Sequence, residues 1–381
     1  MKIVYCLNSI RGVGGMQRVT VVKANALAEI DRNEVYIAVT DNKCDVQIFP
    51  LSPKVHLVDL DINYYDGDQE RSKIANIIVY SIQRRKHRKV LENFLWELNP
   101  DVVVAVGGAE KYMLLSMKNR NWKVIREFHF ERNYRLKHAK TLFDKLVAYT
   151  IDFYDFHFKE KKYDRIIVLT QEDRQLNWKG WKNVEVISNP VPFVCDEPST
   201  LTEKCVSYAG RLDQVKNCHS LVHVFKIVAE RHPNWTLKLY GQGSEFASLK
   251  NQIDDLGLKD NVFLMGFTDD VMSAYCRSSI SVLSSISEGF ALVIVEAMEC
   301  GVPVVSYQCP FGPKDLITEG VDGYLVPVGD EQMMAERICA LIEDDELRHR
   351  MGKAARIKAK NYHQENIVQQ WMNLFNELVD S

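Results

Sequence analysis

The stretch SSISEGFALVIVEAMECGVPVV, residues 284–305, sets Glu288 and Glu296, eight positions apart, in an almost wholly apolar run. A carboxylate buried among apolar side chains has to find a partner or a ligand. SISVLSS reads as a strand, Gly289 permits a sharp turn, and FALVIVEAMEC reads as a helix stopped by Gly301 and Pro303. Glu288 then stands just ahead of the helix, and Glu296 about two turns inside it. The exposed backbone N–H groups of Gly289, Phe290, Ala291 and Leu292 make a helix start suited to phosphate. Glu296 is placed to accept hydrogen bonds from hydroxyls beside that phosphate, as on a ribose. The plainer alternative is a capping glutamate and a salt-bridged glutamate in an ordinary strand–loop–helix unit.

Neighbouring residues favour the anion. AGRLDQVKN, residues 209–217, follows a strand of the same half and puts Arg211 and Lys216 in the loop where that strand ends. Arginine offers phosphate a planar fork and lysine a point charge. Two cations beside a phosphate-competent helix start outweigh the alternative of a solvated surface pair.

These residues need a scaffold. KIVYCLN, EVYIAVT, DVVVAVGG, KVIREFH, DRIIVLT and VEVISNP read as buried strands separated by helical patterns, the grammar of a doubly wound parallel sheet. NPVPFVCDEPSTLTEK, with three prolines and few apolar residues, reads as a linker near residues 190–203. The pattern then restarts with CVSYAGRL, WTLKLYGQG, NVFLMGF, SISVLSS and VPVVSY. The expected fold is α/β: two Rossmann-like, doubly wound domains facing across a cleft. The first covers residues 1–190, joined by the amphipathic C-terminal helix at 364–381 packing back, and the second covers 191–363. Ligands in such sheets sit beyond the carboxyl ends of the strands.

Composition bounds the function. A net charge of -3 argues against a general nucleic-acid binder. The nine cysteines are scattered with no CxxC pair, so neither a disulfide framework nor a zinc site is indicated. The chain opens directly on a strand pattern, and no apolar run approaches the ~20 residues that span a bilayer. A cytoplasmic protein, or one at the inner membrane face, is expected. Asp59 and Asp61 of VDLDI resemble a DxD metal motif but read more simply as outward carboxylates of an alternating strand, and IEDDE near residue 343 reads as a solvated helix end.

GRLDQVKN followed by EGFALVIVE, with its glutamate, seven residues and second glutamate, resembles the retaining family-4 glycosyltransferases of the GT-B fold across essentially the whole chain. The resemblance implies that Arg211 and Lys216 hold the diphosphate of a nucleotide-sugar, that Glu296 holds the ribose and that Glu288 lies near the transferred sugar. It assigns Gly289, Phe290, Ala291 and Leu292 to the diphosphate cradle, and matches Gly241 with Gly243 and Gly266 with Phe267 to donor-site loops. It assigns Gly14 and Gly15 of IRGVGGMQRV to a loop closing over the donor phosphate. His129 of REFHFERNY, at the end of a strand, is placed near the donor sugar; Glu127 and Glu131 are weaker candidates. CPFGPKDLITEGVDGYLVP suits another cleft loop and resembles the branch building surface polysaccharides and lipid-linked oligosaccharides, although many relatives carry a glutamate where Asp315 stands. The implied function is transfer of a hexose or N-acetylhexosamine from a nucleoside-diphosphate sugar, UDP favoured, to a glycan acceptor. No metal or other cofactor is expected, and His129 and Glu288 are the implied catalytic pair.

Two rival readings stay open. Gly12, Gly14 and Asp41 partly match a dinucleotide fingerprint and hence an NAD-dependent oxidoreductase, but Gln17 stands where the third glycine belongs. A non-catalytic sugar-nucleotide-binding subunit would also carry these residues. RRKHRK (84–89) after IANIIVYSI, and the aromatic, lysine-rich segment 139–165, suit anionic lipid headgroups, though each also reads as a solvated helix face. Both leave room for a lipid-linked acceptor.

Overall fold

A computed structural model describes residues 1–12, 14–41, 49–64, 73–108, 110–129, 132, 135, 136, 139 and 141–381; the sequence candidate Glu131 lies outside the described residues. The chain divides into two compact units. Unit 1 comprises Met1–Leu169, Asp173–Pro190 and Gln364–Ser381; unit 2 comprises Thr170–Glu172 and Val191–His363.

Unit 1 is built on strands β1 (Lys2–Leu7), β2 (Glu34–Val39), β3 (Val55–Asp59), β4 (Val102–Ala105), β5 (Lys123–Glu127), β6 (Arg165–Val168) and β7 (Val184–Val186). Every pairing is parallel and the order is β3-β2-β1-β4-β5-β6-β7. Successive side chains of β1 go to opposite faces: Ile3, Tyr5 and Leu7 join one apolar cluster, Val4 and Cys6 another. Burial on both faces is why this strand reads as a continuous apolar run. Helices α1 (Gly15–Ala28), α2 (Lys73–Leu98), α3 (Glu110–Ser116) and α4 (Leu142–Tyr154) belong to this unit.

Unit 2 repeats the plan with β8 (Cys205–Ala209), β9 (Thr236–Tyr240), β10 (Val262–Gly266), β11 (Ile280–Leu283), β12 (Val304–Tyr307) and β13 (Gly323–Val326), all parallel, in the order β10-β9-β8-β11-β12-β13. Its longer helices are α5 (Cys218–Arg231), α6 (Phe246–Asp255), α7 (Val271–Cys276), α8 (Leu292–Glu299), α9 (Glu331–Glu343) and α10 (Asp345–Ala359), with one further turn at Pro313–Leu316. The last helix, α11 (Gln364–Asp380), belongs to unit 1 and buries Ile367, Trp371, Met372 and Phe375 in its core.

Three readings change. GYLVP, expected in a loop, supplies edge strand β13, paired with β12; Gly323 lies where an added Cβ would meet the Val304 carbonyl oxygen at 2.4 Å. The DxD pair is split: β3 ends at Asp59, and Asp61 turns out at φ 49 with Lys86 at 3.6 Å. The segment expected as a linker is pinned to unit 2, with Val191, Cys195 and Leu201 all buried. IEDDE is the exposed helix end expected, with Asp344 capping α10 through the Leu347 N–H and Glu343 meeting Arg231 at 2.6 Å.

Candidate functional site

Where the order of a doubly wound sheet reverses, the loops leaving the two central strands part and open a ligand crevice. In unit 2 that point lies between β8 and β11. The loop after β8 carries Arg211 and Lys216; the loop after β11 carries Glu288 and leads into α8.

Backbone hydrogen bonds hold these loops. Leu212 N–H donates to the Gln242 carbonyl at 2.9 Å, Gly241 N–H to Gly266 at 2.8 Å, and Glu245 N–H to Leu212 at 2.9 Å. Glycine permits the approach: a Cβ on Gly241 would meet the Gly210 carbonyl oxygen at 1.8 Å, and one on Gly243 the Leu212 oxygen at 2.1 Å. Ile286 N–H donates to Val215 and the Ser284 hydroxyl to the Lys216 carbonyl, tying the β8 and β11 loops together.

Within this frame the Lys216 ammonium meets Glu288 Oε1 at 2.6 Å, and the Ser285 hydroxyl donates to the same oxygen at 2.5 Å. The family resemblance assigns these two side chains separate roles; the fold joins them in a half-buried ion pair. Arg211 is 71% exposed and leans on Asp213 at 3.2 Å, so its guanidinium stands at the rim. Glu296, by contrast, is buried within α8.

Helix α8 starts two residues later than its apolar run suggests. Ala291, the cap residue, sits at φ 64 and provides no side-chain hydrogen bond to the helix start. Gly312 accounts for this backbone, since a Cβ there would meet the Phe290 carbonyl oxygen at 2.5 Å. Phe290 is buried edge-on to Tyr362 at 5.9 Å, Gly289 and Leu292 are half-buried, and Phe267 stands exposed just past Gly266. Asp315 accepts hydrogen bonds from the backbone N–H groups of Gln171 and Glu172 and so anchors chain segments. Burial pushes its carboxyl up.

In unit 1 the reversal lies between β1 and β4. Gly14 caps α1 and the exposed Gly15 opens it. A cavity of 340 Å³ lies at this end of the sheet, lined among others by Asn8, Tyr80, Arg84, Gly108, Lys111 and Arg135. Sequence reasoning missed it, reading Arg84 as part of a lipid-facing basic stretch; the glycine pair closing DVVVAVGG was the available signal. Lys111 lies 3.0 Å from Asp155, and Arg135 lies 3.1 Å from the same carboxylate. Burial lowers Lys111 to about 8.

His129 lies beyond β5 with its side chain only 4% exposed, Nε2 3.2 Å from Glu127 Oε1. Glu127 is itself buried against Lys23 of α1, whose ammonium sits 4.6 Å from the Trp371 ring centroid of α11. Burial pushes the Glu127 carboxyl up, but Lys23 and His129 together outweigh it and hold the group at about 2. Lys23, which the sequence did not single out, thus ties α1 and α11 to the β5 end that carries His129.

Two doubly wound parallel sheets make up the GT-B fold, and the sequence matches that follow make the chain a glycosyltransferase. More narrowly, residues 196–358 match the family Glycosyl transferases group 1. An uncharacterized glycosyltransferase of Haemophilus influenzae is 29% identical over 379 residues, 98% of this chain and 99% of its own length. The poly(ribitol-phosphate) alpha-N-acetylglucosaminyltransferase of Staphylococcus aureus is 32% identical over 218 residues, covering 56% of this chain but 44% of that protein. Among solved structures, a variant of Staphylococcus aureus TarM in complex with fondaparinux, alpha-GlcNAc-glycerol and UDP superposes with a TM-score of 0.77 at 17% identity, over 98% of this chain and 99% of that one. Among the described residues, no helix is long and apolar enough to cross a membrane.

Proposed function

We propose that the protein is a retaining transferase that moves a hexose or N-acetylhexosamine from a UDP-sugar to a glycan acceptor in cell-surface polysaccharide or lipid-linked oligosaccharide synthesis. The observation carrying this reading is the Lys216–Glu288 pair beside the start of α8 at the sheet reversal. The leaving diphosphate gains negative charge as the anomeric C–O bond breaks. Lys216, Arg211 and the backbone at 289–292 are suited to stabilise it, one such preorganised donor being worth ~3 kcal/mol. Glu296 takes ribose hydroxyls, Gly241 and Gly266 keep the loops open to the nucleotide, and Phe267 meets the base. The acceptor oxygen bonds to the anomeric carbon on the face the diphosphate leaves, and its proton passes to the departing phosphate. Glu288 orients the sugar. His129 is assigned to the sugar, and Gly14 with Gly15 to the donor phosphate, by resemblance. With these cations in place, transfer needs no metal, so chelation with EDTA leaves turnover unchanged.

The UDP preference draws on the UDP-bound TarM complex, and the surface-polysaccharide assignment on the named activity of the Staphylococcus aureus transferase. For the acceptor, the unit 1 cavity offers Arg84, Lys111 and Arg135 to an anionic, polyhydroxylated chain. Helix α4 turns Leu142 and Phe143, 87% and 73% exposed, to solvent with Leu146, close in sequence to Lys159, Lys161 and Lys162. An apolar helix face beside lysines suits an anionic bilayer, and supports a protein working at the inner membrane face.

The test is thermal-shift binding with UDP, GDP, ADP, CMP and NAD, without added metal. UDP alone should raise the melting temperature; NAD alone would move the site to the first glycine loop. The anomeric configuration of the product, read by NMR, tests retention, and flotation with anionic vesicles tests the membrane contact.

A further inference from the structure

Cys195, Cys276 and Cys300 are far apart in sequence, yet their sulfurs all lie within 4.8 Å of one another. We propose that these three thiols form a binding site for a thiophilic closed-shell cation, zinc(II) or copper(I), at the far end of α8 from the helix start assigned to the donor.

The sulfurs are firmly placed. Cys195 sits in the extended segment entering unit 2; its N–H donates to Glu299 Oε1 at 3.0 Å, and its carbonyl accepts from the Arg356 guanidinium at 2.6 Å. Glu299 is fixed from its other oxygen by His363 at 2.8 Å. Cys276 is the last residue of α7, and Cys300 follows α8 directly, its carbonyl accepting from the Ser199 N–H at 2.9 Å. The Cys195 and Cys276 sulfurs are 3.5 Å apart and both face the Glu197 carbonyl, at 3.3 and 3.4 Å.

Coordination geometry suits this arrangement. A cation holding thiolates at about 2.3 Å sets its sulfurs about 3.8–4.0 Å apart, so small shifts would close the triangle. Three sulfurs favour zinc or copper(I) over hard cations. Cys276 and Cys300 stand at the C-terminal ends of two helices, where the carbonyl dipoles attract positive charge. Cys195 and Cys300 are buried while Cys276 is partly exposed, giving the ion one side of entry. Each thiol loses its proton to solvent on taking the cation, so binding strengthens as pH rises. The loaded site would staple the entering segment to the ends of α7 and α8.

The second grouping of ligand types, His232, Cys339 and Glu343, is a useful control, because Arg231 already holds its carboxylate at 2.6 Å. Reduced full-length protein is titrated anaerobically with Cd²⁺ while the ultraviolet sulfur-to-cadmium absorption is followed, and zinc uptake is measured by equilibrium dialysis. The expected result is saturation at a single equivalent, with alkylation of Cys276 slowed roughly tenfold or more by bound metal. Cys276→Ser and Cys195→Ser should abolish the absorption, and Cys339→Ser should keep it. The alkylation arm uses the unmodified chain, so a variant that misfolds does not decide the matter. An absent sulfur-to-cadmium band, a band undiminished in Cys276→Ser, or unprotected Cys276 in the unmodified chain would overturn the proposal.

Discussion

The two units share one sheet order through their first six strands, yet their reversal points are walled differently. In unit 2 the loops at 210–217, 241–245 and 284–292 are fastened by main-chain hydrogen bonds and by glycines whose missing Cβ atoms let carbonyls close in. In unit 1 main-chain bonds from the Thr40 and Asp41 N–H groups to the Asn8 carbonyl are joined by charged side chains: Glu110 accepts from the Gly107 N–H at 3.2 Å, and Arg126 donates to the Ala105 and Gly107 carbonyls. Lys23 and Glu127 form a buried ion pair one strand further out. A backbone-built site keeps its shape whatever the surrounding side chains ionise to. A side-chain-built one is tied to the charge state of buried groups.

The largest effect expected from this contrast is at Glu127. Removing one partner of a buried pair leaves the other charge unpaired, at a cost of about 3–5 kcal/mol. Glu127→Ala should therefore lower unfolding stability by that order in a denaturant titration, through unit 1. Because the folded carboxyl sits at about 2, below its ordinary value, its contribution is present above that ordinary value and fades as pH falls toward 2. A loss under ~1 kcal/mol, the scale of an exposed pair, would break the contrast from this side.

Next in size is Lys216→Ala. With the loops held by backbone, the chain should stay folded while kcat/KM for transfer falls about 10²–10³-fold, the scale of losing one preorganised charge donor. Near-normal turnover would remove Lys216 and its partner Glu288 from the site. Glu296→Ala should act chiefly on donor KM, by the ~1.5–3 kcal/mol of hydrogen bonds to a charged group.

The same contrast explains what the sequence disclosed. Unit 2 was readable because its chemistry lies in local motifs: a glycine at a strand end and a charged residue a few positions on stay adjacent in space. The period of the apolar runs likewise disclosed both sheets. What escaped notice was assembled from distant segments. Lys23 meets Glu127 across 104 positions, Arg84 reaches the cavity from mid-helix, and the three thiols converge from three elements. Ala291 in the left-handed region was invisible too, because the room for that backbone is made by Gly312, distant in sequence from the helix start. Strand β13 was lost to its flanking glycines and prolines, which an edge strand tolerates.

Glu110 gives a pH-dependent test of the side-chain-built reversal point. Burial pushes its carboxyl up to about 7, with the Arg126 guanidinium pulling the other way. A carboxyl raised on folding binds its proton more tightly in the folded state. The stability this contributes is complete below the ordinary carboxylate value of 4.5 and is lost as pH rises through about 7. Stability of the unmodified chain should thus fall by about 1–3 kcal/mol between those values, a tenfold change in proton affinity being worth about 1.4 kcal/mol. Glu110→Gln, which cannot ionise, should flatten that fall.

The smallest effect is expected at Arg84, and it separates the two reversal points most cleanly. Its guanidinium lines the unit 1 cavity with Lys111 and Arg135, and those two already meet the Asp155 carboxylate. Arg84 therefore brings to an anionic acceptor a charge that Asp155 does not offset. Losing one such contact at a solvent-open site costs about 1 kcal/mol, or roughly fivefold in binding. Arg84→Ala should raise acceptor KM by that factor, more at low ionic strength than at high, with donor KM unchanged and the UDP thermal shift intact. Should Arg84→Ala raise donor KM instead, the cavity would belong to the nucleotide, and the division of donor to unit 2 and acceptor to unit 1 would be wrong.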